Sequence, residues 1–220
     1  LKYKNQIISD EDFTLNFLEN EFSFSGTIAN IFPYVYNLTL KRKANEVVLG
    51  INGKVKAETF NLTAILNAYQ KKNLTPQQTM NKINIRDIFS MAGNVDVDID
   101  KFIFRKMEFD NLKTNLQIAP GVIRANDLNT TTMGGNLRAT GVVRFTTDNA
   151  LNLKLDVSAI KLDIPKIFYE CEDFGQSVLT GKNLKGTLTT SVSLNATWNN
   201  YKVLDAKTLS ALLDFKIKNC

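Results

Sequence analysis

The 220-residue chain contains no histidine. That removes the commonest general base, metal ligand and pH switch together. No Ser–His or Cys–His pair can form, and no serine sits in a G-x-S-x-G turn. Cysteine is scarce, with only Cys171 and Cys220. Two cysteines make at most one bridge and no disulfide framework. The preferred reading is a buried thiol and a chain-end thiol, and neither fixes a compartment. No stretch approaches the roughly 20 apolar residues of a membrane span. No signal peptide is visible, and the chain begins at Leu1, so it is read as a processed protein or an excised fragment. A concentrated positive charge is also missing. The net charge is +5, but the basic residues are dispersed. The densest cluster, Lys41-Arg42-Lys43, closes a strand-like run and reads as a solvated strand end rather than a phosphate contact. Nucleic acid is not an expected partner.

What the chain does have is alternation. Hydrophobic residues make up 44% and charged residues 22%, an ordinary globular balance. Strand side chains alternate between faces, so apolar residues at every second position mark a one-sided strand. Such stretches include Phe13–Phe17, Phe22–Ile28, Tyr36–Leu40, Val47–Ala57 and Val95–Ile99. They continue in Leu112–Ile118, Leu137–Phe145, Leu151–Ala159 and Leu209–Ile217. The longest run, Leu184 to Trp198, sets leucine, valine and alanine against lysine, threonine and serine. Fully extended it would span about 50 Å, where strands commonly have about five or six residues. Short turn signals between runs, such as Pro120-Gly121, predict antiparallel pairing.

Helices are few. One is expected from Leu62 to Lys71, capped by Asn61. A second is expected over Ile85–Ala92, stopped by Gly93. A third follows Asp163, with Pro165 in its first turn. The polar stretch Lys71–Lys82 reads as a loop. Phe60-Asn61-Leu62-Thr63-Ala64-Ile65-Leu66 resembles Leu162-Asp163-Ile164-Pro165-Lys166-Ile167-Phe168. This defines a weak internal repeat of strand, strand and capped helix, around residues 22–71 and 137–170 of a single domain covering 1–220.

Chemistry-bearing constellations are not persuasive. Asp96, Asp98 and Asp100 suggest a calcium loop, but the sixth and twelfth positions are Lys101 and Met107, where glycine and glutamate are needed. Three carboxylates on the wet face of a strand is the better reading. Met133-Gly134-Gly135-Asn136 precedes a strand and reads as a tight turn, not a phosphate cradle. Glu170 and Glu172 beside Cys171 are explained by a helix end. Phe32, Tyr34 and Tyr36 around Pro33 read as packing aromatics. Asn37, Asn61, Asn73, Asn129 and Asn195 match the N-x-S/T acceptor pattern, which chance supplies in an Asn- and Thr-rich chain. No catalytic residue, metal ligand or cofactor is assigned, and the chain is not read as an enzyme.

Two stretches carry a family resemblance. Gly93 to Phe145 reads GNVDVDIDKFIFRKMEFDNLKTNLQIAPGVIRANDLNTTTMGGNLRATGVVRF, and Asp173 to Leu194 reads DFGQSVLTGKNLKGTLTTSVSL. In order, F-D-N-L, G-V-I, M-G-G-N-L-R-A-T-G and L-T-G-K-N-L-K-G resemble the C-terminal region of AsmA-like proteins, especially the Bacteroidetes-type form. The resemblance implies an envelope protein of outer-membrane biogenesis, held in the inner membrane by an N-terminal helix absent from this chain. It further implies a periplasmic, bridge-like lipid carrier, with a long curved sheet forming an apolar groove.

The expected fold is therefore mostly β: long antiparallel strands in a strongly curved, elongated sheet or groove with two or three short helices. The expected partner is a phospholipid or other acyl-chain lipid. Candidate groove residues are Leu137, Val143, Leu153, Leu155, Leu188, Val192 and Leu194. Two alternatives stand beside this. The strands of an envelope assembly module would pair with other envelope proteins through a sheet edge. A closed β-sandwich would show the same alternation around a dry core.

Overall fold

The computed structural model describes residues 8–17, 20–31, 48–64, 67, 91–146, 150–178, 180–199 and 203–219. They form one open sheet. Its strands are β1 (Ile8–Phe17), β2 (Asn20–Ile31), β3 (Val48–Asn61), β4 (Met91–Phe104), β5 (Met107–Ala119) and β6 (Val122–Thr132). Then come β7 (Gly135–Phe145), β8 (Leu151–Asp163), β9 (Thr187–Asn199), β10 (Val203–Leu204) and β11 (Ser210–Lys218). Spatial order follows chain order, with β10 and β11 lying in succession along the same side of β9. The described strands make one sheet rather than two facing ones, so a closed sandwich is not the architecture. β3 and β4 have 14 residues each, about 45 Å of extended chain.

Tight turns set the meander. Met133 and Gly134 both have positive φ, 48° and 74°, as a type I′ hairpin turn demands. Pro120-Gly121 turns β5 into β6. All pairings are antiparallel except one: β3 and β4 run parallel, from Leu49 opposite Met91 to Asn61 opposite Ile103. Parallel neighbours need a crossover, and residues 62–90 supply the length for one.

The connection after β3 opens with a helical turn at residues 62–64, where Asn61 Oδ1 accepts from the Ala64 amide at 3.0 Å. After β8, Asp163 Oδ1 accepts from the Lys166 amide at 2.9 Å and opens the helix Ile164–Glu170, with Pro165 in its first turn. In each case the amide of the capping residue is also held by a preceding hairpin. Asn61 donates to the Asn20 side chain, and Asp163 donates to the Met133 carbonyl at 2.8 Å.

Several expectations need correction. The long run does not extend from Leu184: β9 starts at Thr187, because Gly186 at φ 108° breaks the strand and Leu184 follows a 3-10 turn, Gly181–Asn183. Met91 and Ala92 belong to β4 and not to a helix stopped by Gly93. Gly93 instead lies flat against β3, where a Cβ would sit 1.8 Å from the Ile51 carbonyl oxygen. β6 carries no continuous alternation in the sequence, because a bulge between Ala125 and Leu128, with Asp127 at φ 49°, breaks it. The Tyr36–Leu40 run, Lys41–Lys43, the aromatics around Pro33, residues 71–82 and 85–90, and Cys220 lie outside the described residues.

Candidate functional site

Register decides which side chains share a face. Residues directly opposite on paired strands point the same way, so the face can be followed strand by strand. One row of partners passes from Gly26 on β2 through Gly53, Val95, Leu116, Ala125, Gly141, Leu155 and Leu194 to Ala211 on β11. Every member is apolar or glycine. The neighbouring rows are mostly apolar as well: Ile118, Ile123, Val143, Leu153 and Ala196 on one side, Val157, Val192 and Leu213 on the other.

All seven groove candidates fall on this face. Leu137 stands opposite Ala159, Val143 opposite Leu153, Leu155 opposite Leu194 and Val157 opposite Val192. Leu188 stands opposite Leu162, because a bulge at Ile160-Lys161 returns Leu162 to the apolar side. Lys161 takes φ 59° there. The face continues onto β11 through Leu213, Phe215 and Ile217.

Burial reveals how the face is covered. The fully buried residues of β7, β8 and β9 include Ala139, Ala159 and Ala196, whereas Leu137, Val143, Leu153, Leu155, Leu188, Val192 and Leu194 are each half-buried. In a close-packed two-layer core the large side chains are the ones shut away from water. Here the residues shut away are chiefly alanines sheltered by their sheet neighbours, with Leu162, next to the helix that follows β8, as the large exception. Among the described residues, no second layer covers this part of the face.

Between β1 and β5 the same face holds a trough of about 400 Å³, lined among others by Phe13, Phe24, Val55, Val97 and Leu116. Five neighbouring strands contribute to it, which requires the sheet to curl. Ile99, Leu112 and Ala57 form a buried cluster, against which Phe22, Phe60 and Phe102 pack. The rings of Phe22, Phe60, Phe102 and Phe109 follow one another at 5.1, 5.5 and 5.7 Å, edge to face or tilted.

The opposite face is polar and internally engaged. Asp98 meets Lys54 at 3.1 Å and Lys113 at 3.6 Å. The hydrogen bond from Lys54 leads in holding its carboxyl below the ordinary value, with the charges of both lysines adding to it. Asp96 accepts from the Asn115 side chain at 2.9 Å. The three aspartates thus lie along β4 and not in a loop, with the carboxylates of Asp96 and Asp98 met by cross-strand side chains. Among the described residues, no cluster of three His, Cys, Asp or Glu side chains is placed to hold a metal ion.

At the α-helical end, Glu170 Oε2 accepts from the Glu108 amide at 3.3 Å, while burial raises its pKa. Lys106, from the turn after β4, reaches Glu172 at 3.4 Å and lies 5.8 Å from the Tyr169 ring centre. These contacts carry the helix across the sheet end from β8 to β5. Cys171 is a free, half-buried thiol, with its pKa raised first by burial and then by Glu170. Elevated pKa values leave it a poor nucleophile. Both carboxylates therefore have structural work at a helix end.

Compared with known proteins, the chain matches no family model and no curated protein sequence. The functional reading consequently rests on the face itself. Among the described residues, no helix is long and apolar enough to cross a membrane.

Proposed function

We propose that this chain is a non-enzymatic segment of a cell-envelope protein that binds phospholipid, or another acyl-chain lipid, along its apolar sheet face. One observation carries the reading: an apolar surface continuous across the sheet, on which Leu137, Val143, Leu153, Leu155, Leu188, Val192 and Leu194 of β7 to β9 stay half-buried among the described residues. Uncovered apolar area costs roughly 25 cal/mol per Å² in water. An acyl chain laid along Leu155, Leu194 and Val192 would relieve that cost, at about 0.8 kcal/mol for each methylene buried. The AsmA-like resemblance of Gly93–Phe145 and Asp173–Leu194 supplies the setting. In that setting the segment stands in the periplasm, tethered to the inner membrane by an N-terminal anchor outside this sequence, and conducts lipid toward the outer membrane.

Lipid extraction and mass spectrometry of the purified chain test the proposal. Phospholipid is expected to co-purify at a reproducible stoichiometry. Leu155→Glu and Val192→Glu should lower it severalfold, whereas Ser193→Glu, on the polar face, should leave it unchanged. A chain that carries no lipid and takes none from vesicles would falsify the reading.

A second reading, an envelope assembly module working through a sheet edge, is favoured by β11. All nine of its residues are exposed.

A further inference from the structure

β11 has the composition of an interior strand in an edge position. Its nine residues lie along β9 on one side, and among the described residues no strand pairs with the other side. Leu213, Phe215 and Ile217 continue the apolar face at 58%, 59% and 45% exposure, and Leu212 on the opposite face is 74% exposed. Natural edges are usually blunted by shortness, charged side chains such as lysine, proline, bulges or inward charges. β11 has no proline, and its charges, Asp214, Lys216 and Lys218, all sit on the polar face opposite Ser191, Thr189 and Thr187, so they leave the apolar row of Leu213, Phe215 and Ile217 uninterrupted.

We propose that β11 pairs with β11 of a second copy, antiparallel, about a two-fold axis through Phe215. This deepens the assembly reading by naming the partner and the register. The register follows from charge. With Phe215 on the axis, Asp214 of each copy lies opposite Lys216 of the other, twice over. On the apolar face, Leu213 of each copy then lies opposite Ile217 of the other. Sliding to either neighbouring register that keeps the faces matched puts Asp214 opposite Asp214, or Lys216 opposite Lys216, on the axis. Opposite charges across a pair stabilise it, and like charges directly opposite destabilise it. An isologous contact of this kind closes on itself, so it yields a dimer and not a fibre. The two-fold axis runs perpendicular to the sheet, so the apolar faces of the two copies join on the same side.

The test is a charge swap read by sedimentation velocity. The wild-type chain is expected to dimerise with rising concentration. Asp214→Lys sets lysines opposite lysines, and Lys216→Asp sets aspartates opposite aspartates. Each single variant should raise the dimer dissociation constant at least tenfold, with an unchanged circular dichroism spectrum. Combining both substitutions in one chain restores the pairing and should return the dimer. A monomeric wild type, single variants that dimerise normally, or a double variant that stays monomeric would each overturn the proposal. Lipid content measured on the same samples keeps this outcome separate from the lipid reading.

Discussion

The two halves of the apolar face solve the same packing problem differently. From β2 to β5 the face buries large side chains: Phe24, Val95, Ile99 and Leu112 are all under a tenth exposed. From β7 to β9 the same rows bury mainly alanine and leave leucine and valine half-exposed. Composition does not explain this, since both halves are rich in branched apolar residues. Packing between the side chains does. In the first half five strands line one apolar trough, and the aromatic row Phe22–Phe60–Phe102–Phe109 spans four strands. The second half stays open enough for the face to meet something other than itself. The first half is therefore the stability-bearing part and the second the proposed working surface.

The largest expected contrast lies at two glycines. Gly93 takes φ 148° at the parallel β3–β4 joint, and a Cβ there would meet the Ile51 carbonyl oxygen at 1.8 Å. That atom is backbone and cannot yield, so Gly93→Ala should cost about 3–5 kcal/mol through strain and overpacking together. Gly141 in the open half offers a Cβ its nearest neighbour at 3.3 Å, the terminal Leu155 Cδ1 methyl. Gly141→Ala should change stability by less than about 1 kcal/mol. Urea unfolding monitored by circular dichroism measures both, and equal losses would erase the contrast between these two sites.

A smaller contrast lies in side-chain truncation. Ile99 sits in the buried cluster with Ala57 and Leu112, so Ile99→Ala should cost about 3 kcal/mol in the same measurement. Leu155 is half-buried and leaves no enclosed cavity, so Leu155→Ala should cost about 1 kcal/mol. If the purified chain retains lipid, the Leu155 loss should grow towards the Ile99 value, and delipidation should bring it back down. A Leu155 loss equal to that of Ile99 in lipid-free protein would mean the second half is covered after all.

Much of this was legible in the sequence, for a reason that also marks where legibility stopped. Alternation is local, so the strands around Val95, Leu137, Leu151 and Leu209 could be read from neighbouring residues alone. The caps were readable likewise, because Asn61 and Asp163 act three residues along their own chain. The bulge at Asp127 was not, since its left-handed backbone reverses the alternation halfway along β6. The parallel β3–β4 pair was not either. It depends on where the chain returns after a long crossover, and Gly93, read as a helix stop, is in fact a point of close approach to β3. The candidate face was readable as a set of residues but not as a surface. Only register places Leu188 beside Leu162, across a bulge that sequence spacing does not predict. The difference in burial between the halves is tertiary throughout and left no local trace.

The smallest contrast concerns acid. In the first half the polar face carries Asp98 between Lys54 and Lys113, whereas in the second half Asp156 meets a hydroxyl, Ser193 Oγ, at 2.6 Å. The hydrogen bond from Lys54, with both lysine charges, holds the Asp98 pKa below the ordinary carboxylate value in the folded chain. A carboxylate with a depressed folded pKa contributes stability that is fully present above its unfolded value and disappears as pH falls through the folded one. The lysine ammoniums are well hydrated, at 42% and 65% exposure, so the contribution is that of a surface pair, below about 1 kcal/mol. Asp98→Asn should therefore lower stability slightly at neutral pH and flatten part of the decline in unfolding free energy below about pH 4. The loss should shrink in high salt, which screens exposed pairs. Unfolding curves for wild type and Asp98→Asn that remain a constant distance apart from neutral pH to pH 2 would show that Asp98 acts through packing and not through its charge.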